Sequence, residues 1–598
     1  MDNGTIRLST REIVIAAFIT GIATSLAFPM KNIFWIAYAS VIPMAIIVYT
    51  SSLKKILLGF AVFAVTFFGI LLFWVASYML KETPLWVAIL SFIIILAILW
   101  MYYALTAVIA SYFGKRMPYA RAFIFAASFT TLEYLRTVGF LGFPWGILGY
   151  SQFMNLPFIQ IADVTGVFGI SFALYFCNGV IADVIIRFRA GEFDAGTPAR
   201  PVIIEAAALI ALLAGMFTYG AVTLGRSSGD AALRTERVAL VQENYDFNYR
   251  WTGRYTTEPA KGSFFFMDTK KIKNNDAVNG KAQNGTVVAE RLAKLAVEAA
   301  RAQPSLIVFS ESATLDYYEH FLPEVEKFKN TPNGVKTMEA FAENGYASYL
   351  NVYRLYQGVN ASKCEWLLGT PLARRRTNSD KMDFYNGALL LSTNGAIVER
   401  YAKRRMVPFG EAYPFYDSPL KNIPPFSFLI GFMYDQLEKA GAGNWTPWHE
   451  ATVFTHPKKG YRFSASICFE DAFGDSIREF VRRGAQVLFN ISNDAWSYSD
   501  SSEWQHFAIS VFRAIENRRD MLRATNCGVT GHVDAYGRIK RTFPLWTAGQ
   551  MIADFTVRTG MTIYTHIGDV FAGLIALVLF ILIAVNTIRT IVEARVRE

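Results

Sequence analysis

Three residues that could together attack a carbonyl group follow short apolar segments in the middle of the chain. Glu311 follows the run LIVFS, Cys468 follows FSASI, and Lys403 lies in RYAK. Catalytic groups of sheet enzymes collect beyond the carboxyl ends of strands. We therefore expect these three side chains to meet at one site.

Such a site would combine a nucleophile with a base and with a group that stabilises negative charge. A cysteine is the strongest nucleophile available at neutral pH once it is deprotonated, and a carboxylate can take its proton. A lysine ammonium can stabilise the thiolate and the oxyanion that follows attack. Each residue alone has an ordinary explanation: Cys468 as a buried, inert residue, Glu311 as a partner at a helix N-terminus, and Lys403 as a surface charge.

Dense polar motifs beside all three residues favour the catalytic interpretation. Phe469 and Glu470 follow Cys468 directly, and Glu411 follows Lys403 within the segment VPFGE. A further polar group, Asn493-Asp494, follows the apolar run VLFNIS.

The middle of the chain alternates segments typical of strands and helices, which predicts α/β layers. A hairpin turn is predicted at Thr393-Asn394-Gly395, and helices are predicted over 287–302 and 505–520. The predicted strands are 238–242, 306–309, 366–369, 388–391, 463–467 and 487–491.

The rest of the chain is apolar enough for a membrane. A spanning helix needs about 20 mostly apolar residues, and about eight segments qualify: 12–29, 32–50, 56–79, 84–112, 121–139, 158–186, 202–224 and 568–588. The predicted organisation is an α-helical transmembrane bundle in two parts, 1–225 and 567–598, around a water-exposed domain over 226–566.

Lysine and arginine residues in the short loops set the predicted orientation. With the N-terminus in the cytosol, the cytosolic loops hold most of these residues, whereas the opposite short loops hold only Lys31 and Lys81. Seven spans then place the domain over 226–566 on the outer face, and the eighth returns the C-terminus to the cytosol.

Two further regions could contact lipid. Glu133 and Arg136 share one face of the fifth predicted span, either as a functional pair at membrane depth or as a self-neutralising pair near the helix end. The apolar segment 423–434 carries Phe426, Phe428 and Phe432. Its prolines and glycine predict a loop that dips into the membrane interface, with a buried loop as the alternative.

Composition excludes other classes of function. The net charge of +10 lies largely in loops between apolar segments, which does not indicate nucleic-acid binding. The four cysteines have no zinc or disulfide spacing, and the six histidines form no HExxH motif, so we expect no metal and no cofactor.

Several motifs resemble one family, the apolipoprotein N-acyltransferases. The segments that carry the resemblance include FSESA (309–313), ASICFED (465–471), ISNDAW (491–496) and EWQHF (503–507). Others are YAKRRMVPFGEAYPF (401–415), RATNCGVTGHVDAYGRI (523–539), and, in the membrane part, Glu133, Arg136 and FPWG. The resemblance runs in order over nearly the whole chain.

The resemblance implies a nitrilase-like α-β-β-α sandwich on the membrane bundle. It also implies acyl transfer from a membrane phospholipid, through a cysteine thioester, to the α-amine of the diacylglyceryl-cysteine of a lipoprotein. By position in the motifs, Glu311 falls on the general base, Lys403 on the electrostatic stabiliser and Cys468 on the nucleophile. Such an enzyme would reside in the bacterial inner membrane and need no cofactor.

The resemblance assigns supporting roles to other residues. Glu411 and Glu470 fall on supporting carboxylates, and Trp251 falls on an aromatic residue near the mouth of the site. Phe469 stands where the family often has tyrosine, although its backbone N–H is kept for an oxyanion hole. Insertions near 262–285, 315–350 and 435–448 put substrate preference in question more than the class of reaction.

Three alternative functions stay open from the residues alone. A membrane-tethered nitrilase-type amidase would share Glu311, Lys403 and Cys468. A non-catalytic lipoprotein-binding protein would be indicated by loss of one of these residues, and all are present. A transporter is disfavoured because the spans lack further central charges.

Overall fold

The structure is a computed structural model that describes residues 6–597 except for 30–32, 140, 194–199, 228–232, 246–284, 315, 329–330, 332, 344–346, 376–381, 414, 416–417 and 440–444. The chain divides into two compact units. One comprises Met1–Asp230 with Thr562–Glu598, and the other comprises Ala231–Met561.

The first unit is helical, as its apolar composition predicts. Its helices are α1 (Thr10–Leu26), α2 (Ile42–Thr50), α3 (Leu53–Leu71), α4 (Phe73–Glu82), α5 (Leu85–Arg116), α6 (Arg121–Leu135), α7 (Leu156–Ile159), α8 (Ala162–Thr165), α9 (Val167–Arg189) and α10 (Arg200–Arg226). Two more helices of this unit, Ile563–Ile567 and Val570–Arg597, follow residue 561.

Among the described residues, five helices are long and apolar enough to cross a membrane: α3, α5, α9, α10 and the C-terminal helix. Other predicted spans are interrupted. The predicted span over 32–50 is a 3-10 turn, Phe34–Tyr38, followed by the short α2. The predicted span over 158–186 begins with the short helices α7 and α8 before α9.

Glu133 and Arg136 lie at the end of α6 and are both buried. The Glu133 carboxylate accepts hydrogen bonds from the Leu148 backbone N–H at 2.8 Å and from the Tyr175 hydroxyl at 2.9 Å. The Arg136 guanidinium donates to the Trp145 carbonyl oxygen at 2.7 Å. The two charged side chains thus hold the loop after α6, whose second part, residues 144–147, is buried.

The second unit contains two six-stranded sheets, with strand orders β12-β1-β2-β3-β4-β5 and β11-β10-β9-β8-β7-β6. The strands are β1 (Thr235–Gln242), β2 (Leu306–Val308), β3 (Glu365–Arg375), β4 (Met382–Leu391), β5 (Ile397–Ala402), β6 (Phe454–Thr455), β7 (Arg462–Ile467), β8 (Val487–Ser492), β9 (Met521–Thr525), β10 (Gly531–Val533), β11 (Ile539–Thr542) and β12 (Gly549–Thr556).

Each sheet has a parallel centre: β1, β2 and β3 in the first, β7, β8 and β9 in the second. The sheets pack face to face through aromatic residues. The ring of Phe555 on β12 lies 5.9 Å from that of Phe489 on β8 and 5.4 Å from that of Tyr461. Such pairs each add about 0.5–1.5 kcal/mol beyond burial of their apolar area.

Helices cover the outer faces and complete an α-β-β-α sandwich, as the resemblance implies. The helices of this unit are α11 (Gly285–Ala300), α12 (Tyr318–Phe328), α13 (Gly334–Glu343), α14 (Ala347–Ser362), α15 (Phe426–Lys439), α16 (Gly474–Arg482) and α17 (Asp500–Asn517). Helix α11 packs on the first sheet, and α16 and α17 pack on the second. The chain then enters α18 (Ile563–Ile567) and α19 (Val570–Arg597) of the first unit.

All six predicted strands fall within strands of the structure or within one residue of their ends, and the hairpin turn joins β4 to β5 as predicted. The loop predicted over 423–434 is wrong, because this segment enters the helix α15. The two prolines precede the first helical turn, where no backbone N–H is needed. The single interior glycine, Gly431, costs only about 1 kcal/mol.

Candidate active site

Cys468 stands at the carboxyl end of β7, where the strand gives way to a 3-10 helix, Cys468–Ala472. Its φ angle of 51° lies in the left-handed region that favours glycine. A non-glycine residue pays about 1–3 kcal/mol for such a conformation, which is typically kept at functional sites. The Asn490 amide donates to the Cys468 carbonyl oxygen at 3.1 Å and supports this turn.

Glu311 lies in the turn after β2 and is buried. Its carboxylate accepts hydrogen bonds from the Asn386 amide at 2.6 Å and from the Asn493 backbone N–H at 2.8 Å. The turn passes so close to β3 that a Cβ on Gly369 would collide with the Ser310 carbonyl oxygen. These contacts fix both oxygens of the carboxylate.

Lys403 follows β5, and its side chain is fully buried. Its ammonium donates to Glu411 Oε1 at 2.8 Å and lies 3.4 Å from Glu311 Oε1. Its backbone N–H donates to the Asn386 carbonyl oxygen at 2.8 Å. We call Glu311, Lys403 and Glu411 the acid–base cluster.

Burial and charge shift the pKa values at this site. Burial raises the pKa of the Glu311 carboxyl even though Lys403 opposes the shift. Burial disfavours the Lys403 ammonium, but its acidic neighbours, Cys468, Glu311 and Glu411, outweigh it and raise the pKa of Lys403 well above its usual value. Burial also raises the pKa of the Cys468 thiol. The resting thiol is therefore protonated and needs a base, beside a fixed cation.

Glu411 closes the acid–base cluster from the segment after β5. Its second carboxylate oxygen accepts from the Val407 backbone N–H at 2.8 Å, and its first also accepts from the Asn386 amide at 3.2 Å. The Glu411 carboxylate thus holds Lys403 in place and connects it to β4.

Glu470 connects the strand end that bears Cys468 to the one that bears Lys403. Its carboxylate accepts from the Ile467 backbone N–H at 2.7 Å, the Arg404 backbone N–H at 2.7 Å and the Tyr401 hydroxyl at 2.7 Å. The Glu470 side chain is buried and bonds to residues directly beside both Cys468 and Lys403. Its role in this geometry is positioning.

A second polar group lies on the other side of Cys468, and we call it the ion-pair network. The Cys468 sulfur lies 3.9 Å from Asp494 Oδ1. His506 bridges Asp494 at 3.1 Å and Asp471 at 2.7 Å, and Arg523 binds Asp471 at 2.6 Å and Asp494 at 3.1 Å. All four side chains of the network, Asp471, Asp494, His506 and Arg523, are buried.

The ion-pair network has fixed charges. Burial and Arg523 disfavour the imidazolium, but the charges of Asp494 and Asp471 outweigh them and raise the pKa of His506 to about 9. Burial opposes ionisation of the two aspartates, yet His506 and Arg523 lower the pKa of both. Both aspartates and His506 are therefore charged at neutral pH.

Sequence reasoning missed Asn386 and the roles of His506 and Arg523. Asn386 lies in β4 between an exposed and a buried half of the strand, and only a three-dimensional structure shows that it bonds two carboxylates. His506 and Arg523 lie in the motifs EWQHF and RATNCG, which were noted for their resemblance alone. The feature of the sequence that could have indicated these residues is their polar character within segments that are otherwise buried.

The other predicted site residues fall into three groups. Phe469 is buried against Phe473, with ring centroids 5.0 Å apart. Phe426, Phe428 and Phe432 are 47%, 80% and 49% exposed on α15. Glu133 and Arg136 belong to the other unit, and Trp251 lies outside the described residues.

Comparisons with known proteins cover both units. The family model for the apolipoprotein N-acyltransferase N-terminal domain matches residues 20–180, and the carbon-nitrogen hydrolase model matches residues 278–563. A solved amidase of the nitrilase superfamily from Nesterenkonia AN1 is 14% identical, over 53% of this chain and 90% of that chain. The TM-score for this pair is 0.31.

Full-length relatives agree with the two family models. An apolipoprotein N-acyltransferase of Geobacter metallireducens is 28% identical over 94% of this chain and 93% of its own length. Apolipoprotein N-acyltransferase 1 of Treponema pallidum is 32% identical over 76% of this chain and 74% of its own length. The chain therefore belongs to the apolipoprotein N-acyltransferase family.

Proposed function

We propose that this enzyme transfers an acyl chain from a membrane phospholipid to the α-amine of a lipoprotein's N-terminal diacylglyceryl-cysteine. The observation that carries the proposal is the buried acid–base cluster, in which Lys403 lies 3.4 Å from Glu311 and interacts electrostatically with Cys468. This arrangement supports an attack of a cysteine on an ester carbonyl. The relatives are named apolipoprotein N-acyltransferases, which supports a lipoprotein as the acceptor.

In the first half-reaction, Glu311 takes the proton of the Cys468 thiol. The thiolate attacks an ester carbonyl of the phospholipid, and the C–S bond forms as the carbonyl oxygen becomes negative. Lys403 and the Phe469 backbone N–H stabilise this oxyanion, an interaction typically worth about 3–4 kcal/mol. The C–O bond then breaks, and protonated Glu311 gives its proton to the departing lysophospholipid.

In the second half-reaction, the free α-amine of the acceptor attacks the thioester on Cys468. Glu311 takes up the amine proton, an amide forms, and the C–S bond breaks. The proton returns to sulfur and restores the resting thiol. The acyl donor is already an ester, so the reaction as proposed uses no cofactor or metal.

The membrane arrangement remains part of the proposal. About eight spans, with both termini in the cytosol, would place residues 226–566 on the outer face of the bacterial inner membrane. Five long apolar helices support membrane insertion. The exposed Phe426, Phe428 and Phe432 of α15 fit contact with lipid, and Trp251 is proposed to lie near the mouth of the site.

The proposal is tested with both substrates. The purified full-length chain is incubated with phospholipid labelled in its acyl chain and with a diacylglyceryl-cysteine peptide, and the peptide is analysed by mass spectrometry. We expect an added acyl group on the peptide's α-amine, and none with Cys468→Ala. The matched control is Cys364→Ala, which removes a second buried cysteine of the same unit. We expect this variant to keep activity.

The amidase alternative predicts the opposite pattern. Release of ammonia from small amides, with no acylated peptide from several phospholipids in correctly folded protein, would refute the proposed transfer. Binding of the peptide with no turnover of either kind would favour the non-catalytic lipoprotein-binding protein.

A further inference from the structure

The hairpin of β3 and β4 extends from the acid–base cluster and has two different faces. Side chains alternate between faces along a strand, so residues two apart share a face. One face of β4 therefore carries Asn386, Phe384 and Met382. On β3, Ala373 pairs with Phe384 and Arg375 pairs with Met382. Tyr385 and Asp383 line the other face.

The face with Tyr385 is covered by the segment before β6. The Trp448 ring lies 5.2 Å from the Tyr385 ring and 4.9 Å from the Arg374 guanidinium carbon on β3. The Thr446 hydroxyl donates to the Asp383 carboxylate at 3.3 Å. This side of the hairpin is packed against the protein itself.

The face with Asn386 stays open beyond the cluster. Asn386 is buried where it binds Glu311, but Phe384 and Met382 are each 44% exposed. On its inner side, the Phe384 ring contacts Tyr317, which follows Glu311 on the same loop, with ring centroids 6.1 Å apart. An apolar strip therefore begins at the acid–base cluster and runs outward along β4.

We propose that this strip, formed by Phe384, Met382 and Ala373, binds the fatty acyl chain of the lipid substrate. The inference rests on the proposed function and names the substrate-binding surface for it. A chain attached to a carbonyl at Cys468 must leave the buried site along some surface, and the strip is continuous with Asn386, which holds Glu311.

The length and chemistry of the strip suit this occupant. From Asn386 to Met382 an antiparallel strand rises about 14 Å, which matches much of an extended hexadecanoyl chain. The described strip offers Phe384, Met382 and Ala373 to the ligand, and Arg375 lies beside Met382 at its outer end. A peptide or a soluble headgroup would leave polar groups against this apolar surface.

The test compares long and short acyl donors. Initial rates of Cys468 acylation are measured for the full-length chain and for the double variant Phe384→Ser, Met382→Ser, with dihexadecanoyl and dibutanoyl phosphatidylethanolamine. We expect the double variant to lose about tenfold with the long-chain donor, because apolar contact with the chain is lost. Its rate with the short-chain donor should stay within about twofold of wild type.

The matched control is Val398→Ser on β5. Val398 is 45% exposed in the same sheet but lies outside the strip. This variant should leave the rates with both donors unchanged. Equal rates for wild type and the double variant with the long-chain donor would overturn the proposal. An equal fall with both donors would also overturn it, since the two residues would then support Glu311 rather than the acyl chain.

A second measurement separates this inference from the proposed function. Hexadecanoic acid with a diazirine at its methyl end is photo-crosslinked to the full-length chain and to Cys468→Ala, and labelled residues are mapped by mass spectrometry. Labelling near Met382 is expected in both, and its absence would refute the strip. Labelling near Met382 together with no acylation of Cys468 by a phospholipid donor would keep the strip and refute the acyl-enzyme.

Discussion

Cys468 lies between two buried polar groups that differ in how freely they can exchange protons. In the acid–base cluster, burial raises the pKa of Glu311, and Lys403 is shared by two carboxylates. In the ion-pair network, two aspartates face His506 and Arg523, and their charges balance. A carboxyl group with a raised pKa can act as a base and an acid at neutral pH, whereas a balanced network resists any change in protonation.

The comparison assigns different tasks to the two sides of one cysteine. The acid–base cluster is suited to move protons during acyl transfer. The ion-pair network is suited to hold α17, β9 and the segments that follow β7 and β8 together around Cys468. Substitutions in the first should reduce the reaction rate, and substitutions in the second should mainly reduce stability.

Lys403→Met is expected to have the largest effect. It removes the fixed cation and leaves Glu311 and Glu411 as buried carboxylates without their partner. Loss of oxyanion stabilisation should slow acylation of Cys468 by about 10²–10³-fold. Breaking a buried ion pair should cost about 3–5 kcal/mol, seen as a lower thermal unfolding midpoint. Normal acylation would contradict the role of Lys403.

Glu311→Gln should separate rate from stability. Glutamine keeps the shape of the side chain, and Lys403 keeps Glu411 at 2.8 Å. Because both oxygens of Glu311 accept hydrogen bonds, the glutamine NH2 group faces a donor, and the loss of stability should be about 1–3 kcal/mol, less than for Lys403→Met. Acylation should slow by about a hundredfold because no general base remains. A matched substitution, Glu479→Gln on the surface helix α16, should leave the rate unchanged. A rate near wild type for Glu311→Gln would show that Glu311 is not the general base.

The ion-pair network should make stability depend on pH. The pKa of His506 is raised from 6.5 to about 9, so its contribution is complete below about pH 6.5 and is lost as the pH rises through about 9. The contribution is on the order of 3 kcal/mol. The lowered pKa values of Asp471 and Asp494 leave both ionised throughout this range.

This pH dependence is measured from thermal unfolding midpoints between about pH 6 and pH 9.5. Wild type should lose stability across this range relative to His506→Gln, because the variant lacks the imidazole that loses its proton there. Parallel curves for the two proteins would show that His506 is not held as an imidazolium.

Tyr401→Phe should have the smallest effect. The change removes the hydroxyl that donates to Glu470 at 2.7 Å but keeps the ring, and two backbone N–H groups still bind the carboxylate. We expect a loss of about 1–2 kcal/mol in stability and only a few-fold slower acylation. A fall as large as that of Glu311→Gln would mean that the Tyr401 hydroxyl takes part in proton transfer.

Local patterns in the sequence predicted the parts of the site that follow directly from strand ends. Glu311 and Cys468 come after the buried parallel strands β2 and β7, and functional groups collect beyond the carboxyl ends of such strands. The two strands belong to different sheets, so the meeting of the two side chains depends on how the sheets pack. Lys403 follows the antiparallel strand β5 and was predicted from the dense polar motif beside it. The sequence did not indicate Asn386, because its two carboxylate partners come from distant segments.

The helix α15 and the spans show a second limit. Prolines and a glycine predicted a loop at 423–434, but both prolines precede the helix, and a single glycine within a helix costs only about 1 kcal/mol. The segments over 32–50 and 158–186 are apolar enough to span a membrane, yet the first is a 3-10 turn followed by the short α2, and the second begins with the short α7 and α8 before the long α9. Hydropathy does not distinguish a continuous helix from a broken one whose polar groups are satisfied inside the bundle.

The central claim is that Cys468 becomes acylated by a phospholipid through the acid–base cluster. Its most direct test is mass spectrometry of the full-length protein after incubation with labelled phospholipid and no acceptor. We predict one acyl group on Cys468, released by neutral hydroxylamine and absent from Cys468→Ala. Folded protein that stays unlabelled with several phospholipids, or a label that resists hydroxylamine or lies elsewhere, would contradict the account.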